Sequence, residues 1–151
     1  MTERRALVVP LLLAVLVALP ALAAPPPPGK PRDFGGTYDP GSQTVTLTWK
    51  GDTTAWTYYA YRGSDLLGKT GETRYTDAPP HDSMWVYFLT ESLDGKQFGE
   101  PAVAAVAGLD CEIASVATSW NYPYAYVHVH EECLGGIAMD RDVTWQSPSS
   151  T

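Results

Sequence analysis

The chain has 151 residues, 44% of them hydrophobic, and a formal net charge of −7 from 10 basic and 17 acidic side chains. This length fits one ordinary domain with, at most, a small appendage. The acidic balance argues against nucleic acid and anionic membrane surfaces as partners, although it equally suits a protein that only has to stay dispersed in solution.

Residues 1–23 have the pattern of a secretory signal peptide. Arg4 and Arg5 form a basic start, an apolar stretch extends from Ala6 to about Leu22, and Ala21-Leu22-Ala23 is a small-residue cleavage site before Ala24. The alternative is an uncleaved membrane anchor formed by residues 6–22, because this apolar run approaches the length that spans a bilayer. We expect a secreted, extracellular protein whose mature chain has 8 basic and 16 acidic side chains.

Residues 24–30 are predicted to be a proline-rich linker. Pro25–Pro28 cannot donate backbone hydrogen bonds and favour an extended polyproline II segment. Such a segment acts as a stiff spacer. The alternative, a ligand for a proline-binding domain, suits an exported chain less well.

From Pro31 to Ala107 the chain has short strand-like runs separated by turn residues. In Thr44–Lys50, three apolar residues alternate with threonines, a period of two that places the apolar side chains on one face. Alternation in Trp56–Arg62 separates Tyr58 from Tyr59 and Tyr61. The other strands are predicted at Arg32–Tyr38, Leu66–Thr70, Thr73–Thr76, Met84–Ser92 and Pro101–Ala107. Seven short strands at this spacing predict an antiparallel β-sandwich.

The span 31–107 resembles a fibronectin type III domain. The similar segments are VTLTW at Val45–Trp49, YYAYRG at Tyr58–Gly63, RYTD at Arg74–Asp77 and YFLTESLDGKQFGEPAV at Tyr87–Val103. The resemblance implies that Trp49 and Tyr58 are core residues that define the fold. It also implies that Tyr87 is the tyrosine-corner residue, with its hydroxyl bonded back to the backbone.

Glu91 departs from this family, which has a small apolar residue at the corresponding position. We therefore expect either a different strand register near Glu91 or a partly open edge. Members of the family are spacers, adhesion modules and receptor units without catalytic residues, so the resemblance implies a non-enzymatic protein. The family alone does not assign a ligand.

Residues 108–151 lie outside the resemblance and contain both cysteines, Cys111 and Cys133. An even pair in an exported chain predicts a disulfide. The turn at Asn121-Tyr122-Pro123 is midway between them, so a hairpin of Glu112–Trp120 and Tyr124–Glu132 would bring the cysteines opposite each other. Because an isolated hairpin is marginally stable, we expect it to dock on the sandwich or to gain a third strand from Asp142–Gln146.

The predicted strand Tyr124–Glu132 also contains candidate chemistry. Alternation places Tyr124, Tyr126, His128 and His130 on one face. The two histidines could share a zinc or copper ion with Glu112 or Glu132 as a third ligand. The alternative is a solvent-facing stripe whose rings pack across the strands, and the sequence favours this stripe because a full ligand set is not evident.

Enzyme motifs are weakly represented. The sequence has no G-x-S-x-G elbow and no H-E-x-x-H pair, and we expect neither a catalytic residue nor a cofactor. The favoured hypothesis is an extracellular or cell-surface protein-interaction or adhesion module that binds a protein or a glycan. A structural spacer and metal binding through His128 and His130 are the alternatives. Aromatics suit binding surfaces, and the candidate contact residues are Tyr59, Tyr61, Trp120, Tyr122 and Tyr124.

Overall fold

The computed structural model describes residues 28–51 and 57–148, and this part of the chain forms ten strands and no helix. The signal segment 1–23, most of the linker and Trp56 lie outside the described residues. No described segment is a helix that could cross a membrane. The strands are β1 Arg32–Asp39, β2 Thr44–Lys50, β3 Thr57–Arg62, β4 Asp65–Thr70, β5 Arg74–Asp77, β6 Met84–Ser92, β7 Ala102–Ala107, β8 Cys111–Asn121, β9 Tyr124–Cys133 and β10 Ile137–Gln146.

These strands form three antiparallel sheets, which confirms the predicted all-β class. The first sheet has the order β1-β2-β5, the second β4-β3-β6-β7 and the third β10-β9-β8. The first and second sheets pack face to face as a sandwich. The third sheet covers the opposite face of the second, so the second sheet is the middle layer of three.

The core of the sandwich lies between the first and second sheets. Val45, Leu47 and Trp49 project into it from β2, at the alternating positions that the sequence predicts. Tyr58 projects into it from β3 and packs edge to face with Trp49, with ring centroids 5.3 Å apart. Trp49 and Tyr58 are therefore core residues.

A second core lies between the middle sheet and the third sheet. Its buried members are Tyr59, Tyr61, Met84, Val86, Phe88, Ala125, Val127, Val129 and Trp145. Strand β6 of the middle sheet contributes to both cores, and all nine of its residues are buried. This explains why Met84–Leu89 of β6 is an unbroken run of apolar and aromatic residues, since a strand covered on both faces has no solvent-facing positions.

The prediction that Tyr59 and Tyr61 are exposed contact residues is wrong. Alternation does place them opposite Tyr58, but that face is covered by the third sheet, and their exposed fractions are only 8% and 7%. Tyr61 packs edge to face with Trp145 at 5.4 Å between ring centroids. Burial raises the pKa of the Tyr61 phenol to about 12.

Tyr87 is fully buried, but its hydrogen bond differs from the expectation. Its hydroxyl donates to the carboxylate of Asp77 at 2.9 Å rather than to a backbone carbonyl. Asp77 also pairs with Arg62 at 2.7 Å. Burial, followed by the hydrogen bond to Asp77, raises the pKa of Tyr87. The carboxylate at the end of β5 takes the place of the backbone acceptor because it is a stronger acceptor.

Glu91 is 2% exposed and lies in β6, which pairs with β3 from Thr57 to Arg62 without a shift of register. The backbone amide of Gly29 donates to its carboxylate at 2.9 Å. The end of the linker therefore covers this position, so the alternative of a partly open edge at Glu91 is wrong.

Candidate binding face

A disulfide closes the hairpin of β8 and β9 at the end opposite its turn. Cys111 of β8 lies directly opposite Cys133 of β9, and the two form the predicted bond. Strand pairing then extends to Asn121 and Tyr124, on either side of the predicted turn. The third strand is longer than expected, because β10 begins at Ile137 rather than near Asp142. The hairpin thus gains a third strand and also docks on the sandwich.

A partly buried network of ion pairs and hydrogen bonds fixes this docking. Arg141 of β10 donates to both carboxylate oxygens of Asp82, at 2.9 and 3.0 Å, in the geometry that guanidinium groups favour. The hydroxyl of Ser83 donates to Glu131 of β9 at 2.9 Å, and Glu131 is fully buried. The pair with Arg141 lowers the pKa of Asp82 and raises that of the guanidinium.

The opposite surface of the third sheet faces away from the sandwich, and we call it the outer face. It contains every second residue of β9 and the residues that lie opposite them in the neighbouring strands. Its members are Glu112, Ser115, Ala117, Ser119, Asn121, Tyr124, Tyr126, His128, His130, Glu132, Ala138, Asp140, Asp142, Thr144 and Gln146.

Two cross-strand pairs join the histidines of the outer face to β10. His128 lies opposite Asp142 and His130 opposite Asp140, and in each pair an Nδ1 atom is 2.7 Å from a carboxylate oxygen. The hydrogen bond with Asp142 raises the pKa of His128, and the hydrogen bond with His130 lowers the pKa of Asp140. Each carboxylate orients its imidazole, with Nε2 as the second ring nitrogen.

These pairs bear on the metal hypothesis. Nε2 of His128 is 3.6 Å from Asp140, and Nε2 of His130 is 3.9 Å from Glu132. Even so, the ligand atoms of the outer face do not converge within the described residues. The one set of three ligand atoms within 4.8 Å of one another there is Cys111, Glu131 and Cys133, whose sulfurs are already bonded together.

Tyrosines dominate the other half of the outer face. Tyr124 and Tyr126 are 38% and 46% exposed, with ring centroids 6.3 Å apart. A groove of about 290 Å³ lies beside Tyr126 and His128, and Ala117 and Ser119 line it on the β8 side. Small residues on one strand beside rings on the next leave room for a ligand to lie flat on the sheet.

Two further candidate aromatics lie at the turn between β8 and β9. Tyr122 is 68% exposed and packs edge to face with Trp120 at 5.9 Å. Trp120 is half-buried and contacts the buried Trp145 at 6.2 Å. Trp120 therefore belongs largely to the second core, whereas Tyr122 and Tyr124 remain available to a partner.

The third sheet and the rest of residues 108–151 are predominantly acidic. Arg141 is the only lysine or arginine among residues 108–151, and its side chain is directed at Asp82 in the sandwich. The outer face has four carboxylates, from Glu112, Glu132, Asp140 and Asp142, and no lysine or arginine. A polyanionic ligand is therefore disfavoured on this face.

One segment of the sandwich matches the sequence pattern of a phosphate-binding loop but does not have the structure of one. GSDLLGKT at Gly63–Thr70 fits the pattern GxxxxGK[ST], which cradles phosphates where a strand leads through a loop into a helix. Here Gly63 and Ser64 form a turn, and Asp65–Thr70 is strand β4, paired with β3. Its backbone therefore forms a sheet ladder rather than a phosphate-binding loop.

Comparisons with family models, curated proteins and solved structures find no match to this chain.

Sequence reasoning missed the carboxylates that partner the histidines and the whole docking network. A signal was present, since Asp140 and Asp142 have the same spacing as His128 and His130. The pairing of Arg141 with Asp82, and the burial of Glu131, depend on how the third sheet docks, which strand patterns do not specify.

Proposed function

We propose that this protein is a secreted, non-enzymatic recognition module whose binding surface is the outer face of the third sheet. The observation that carries the proposal is the exposed row of rings on β9, formed by Tyr124, Tyr126, His128 and His130. Tyrosine provides a large contact area at low entropic cost, and each ring has a polar tip for hydrogen bonding. Asp140 and Asp142 add acceptors beside this row.

We also propose that the sandwich is a fibronectin type III-like module that supports this surface. Three features agree with that resemblance: seven strands in sheets of three and four, a buried Trp49 on β2, and a buried, hydrogen-bonded Tyr87 on β6. In this arrangement the sandwich is the rigid support, and the third sheet provides the specificity.

The partner is an extracellular protein or glycan that is neutral or cationic where it touches the outer face. Both classes use flat aromatic surfaces, and the groove beside Tyr126 and His128 suits an extended segment. Export is supported by the signal-like start of the chain and by the disulfide, since disulfides persist in oxidising compartments.

The test is a binding screen with the secreted, oxidised protein against a glycan array and an array of extracellular proteins. The key variant is Tyr124→Ser/Tyr126→Ser, which removes two exposed rings. The matched control is Leu66→Ser/Leu93→Ser, which changes two exposed apolar residues of the sandwich. We expect at least a tenfold loss of affinity for any bound partner in the tyrosine variant and no loss in the control. Equal binding by both variants would show that the outer face is not the recognition surface.

A further inference from the structure

The third sheet has one long strand with an open side. β8 is an edge strand of eleven residues, and among the described strands it pairs with β9 alone. The backbone groups on its other side thus face away from the sheet. Such an edge is a template for another strand unless charge, proline, shortness or a covering segment protects it.

The other described edges have such protection. β4 and β5 are short and contain charged residues. β1 contains a bulge and charged residues at both ends, and β10 contains Asp140, Arg141 and Asp142. β7 is uncharged, but β1 packs along it, with Gly36 in close approach to Val106. In contrast, Ile113–Asn121 of β8 contains neither proline nor any charged side chain. β8 is therefore a long edge without charge or proline over this run. Its one irregularity is a bulge between Ile113 and Ser115, which leaves Ser115–Asn121 as a regular edge segment.

The side chains near this edge are also incompletely covered. Val116 lies opposite the fully buried Val129, so it faces the sandwich, yet it is 41% exposed. The third sheet overhangs the middle sheet on this side. A partner that extended the sheet beyond β8 would cover Val116 as well as satisfy the backbone.

The sequence of β8 is compatible with a second copy of itself. In an antiparallel pair centred on Ala117, Val116 of each copy lies opposite Thr118 of the other, and Ser115 lies opposite Ser119. Glu112 of one copy then lies beyond the facing strand's Asn121, so no like charges meet along the pair. This matters because each chain is acidic, and like charges placed directly opposite each other destabilise a strand pair.

We infer that two copies of this chain associate through β8, forming a continuous six-stranded antiparallel sheet about a two-fold axis near Ala117. Such a contact is isologous and closes with two subunits, so it does not propagate into a fibre. It places two outer faces side by side on one surface. The inference is independent of the proposed function, because it uses the edge of the sheet rather than its outer face.

The experiment is molar mass by light scattering during gel filtration, over a range of protein concentrations. The key variant is Ala117→Lys, which places two lysines opposite each other at the axis. The control is Thr144→Lys, an equally exposed outer-face position on the other edge, β10. We expect the mass to be twice that of the chain for wild type and Thr144→Lys, and that of the monomer for Ala117→Lys.

Three results would overturn the inference: a monomer for wild type at every concentration, a dimer for Ala117→Lys, or a monomer for Thr144→Lys alone. If Ala117→Lys fails to fold, hydrogen exchange of the wild type provides the answer. Backbone amides of β8 should then gain protection as the protein concentration rises, while those of β10 should not. Concentration-independent exchange in β8 would contradict the pairing.

Discussion

Phe88 of the middle sheet and Trp145 of the last strand stack face to face, with ring centroids 5.8 Å apart and ring planes 15° apart. Trp145 is 1% exposed, and Tyr61 packs against it edge to face. The third sheet is therefore joined to the sandwich by a shared aromatic core as well as by the chain connection from β7 to β8, whereas its disulfide lies within the third sheet. Because of this shared core, we expect the third sheet and the sandwich to stabilise each other.

Replacing Trp145 with alanine should destabilise the whole described fold. Truncation of a buried tryptophan removes its contacts and leaves a cavity, which typically costs about 3–5 kcal/mol. Chemical denaturation followed by fluorescence would measure the loss. The matched control is Tyr126→Ala on the outer face, which should change the free energy of unfolding by less than about 1 kcal/mol. Equal losses in the two variants would show that the second core contributes little.

The disulfide should stabilise the third sheet substantially. Cys111 and Cys133 are 22 residues apart in sequence, and closing a loop of this size is expected to contribute about 3 kcal/mol by restricting the unfolded chain. The variant Cys111→Ser/Cys133→Ser should lose about that amount in denaturant unfolding. Adding a reductant should weaken the wild type but leave the variant unchanged. A variant as stable as oxidised wild type would contradict this expectation.

The ion pair of Arg141 and Asp82 should make the free energy of unfolding fall at acidic pH. Because Arg141 lowers the pKa of Asp82 in the folded protein, the pair contributes stability that is complete above the ordinary Asp pKa of 3.8. That contribution is lost as the pH falls through the lowered pKa. Unfolding free energies measured across this range should therefore fall less steeply for Asp82→Asn than for wild type. Asp65→Asn, at an exposed position of β4, should retain the wild-type slope.

Much of the fold could be predicted from alternation and turns, but not that the middle sheet is buried on both faces. Thr44–Lys50 and Met84–Ser92 match their predicted bounds, and the disulfide follows from a turn placed midway between the cysteines. The period of two correctly places the side chains of Tyr58 and Tyr59 on opposite faces of β3. However, it cannot show that a third sheet covers the face of Tyr59, because a polar-tipped ring suits either a core or a surface.

The candidate site shows a similar limit. The row of rings on β9 could be predicted because one strand determines it. The partners of His128 and His130 could not, since they depend on the register of β10, and the predicted third strand began at Asp142, two residues after Asp140. A pattern within one strand is local, whereas a cross-strand pair requires the alignment of two strands.

The pair of His128 and Asp142 gives a direct test of that register in solution. Their hydrogen bond raises the pKa of His128 above the ordinary value of 6.5. The pair therefore contributes stability below that value, and the contribution is lost as the pH rises through the raised pKa. In NMR titrations of the imidazole protons, Asp142→Asn should lower the pKa of His128.

The matched control for this titration is Asp65→Asn, which removes the same charge from β4 of the sandwich rather than from the third sheet. It should leave the pKa of His128 close to its wild-type value, because the hydrogen bond rather than net charge is the main cause of the shift. Equal shifts in both variants would indicate a general charge effect instead. An unchanged pKa in Asp142→Asn would mean that β10 does not pair with β9 in this register, and the outer face would then lack the acceptors assigned to it.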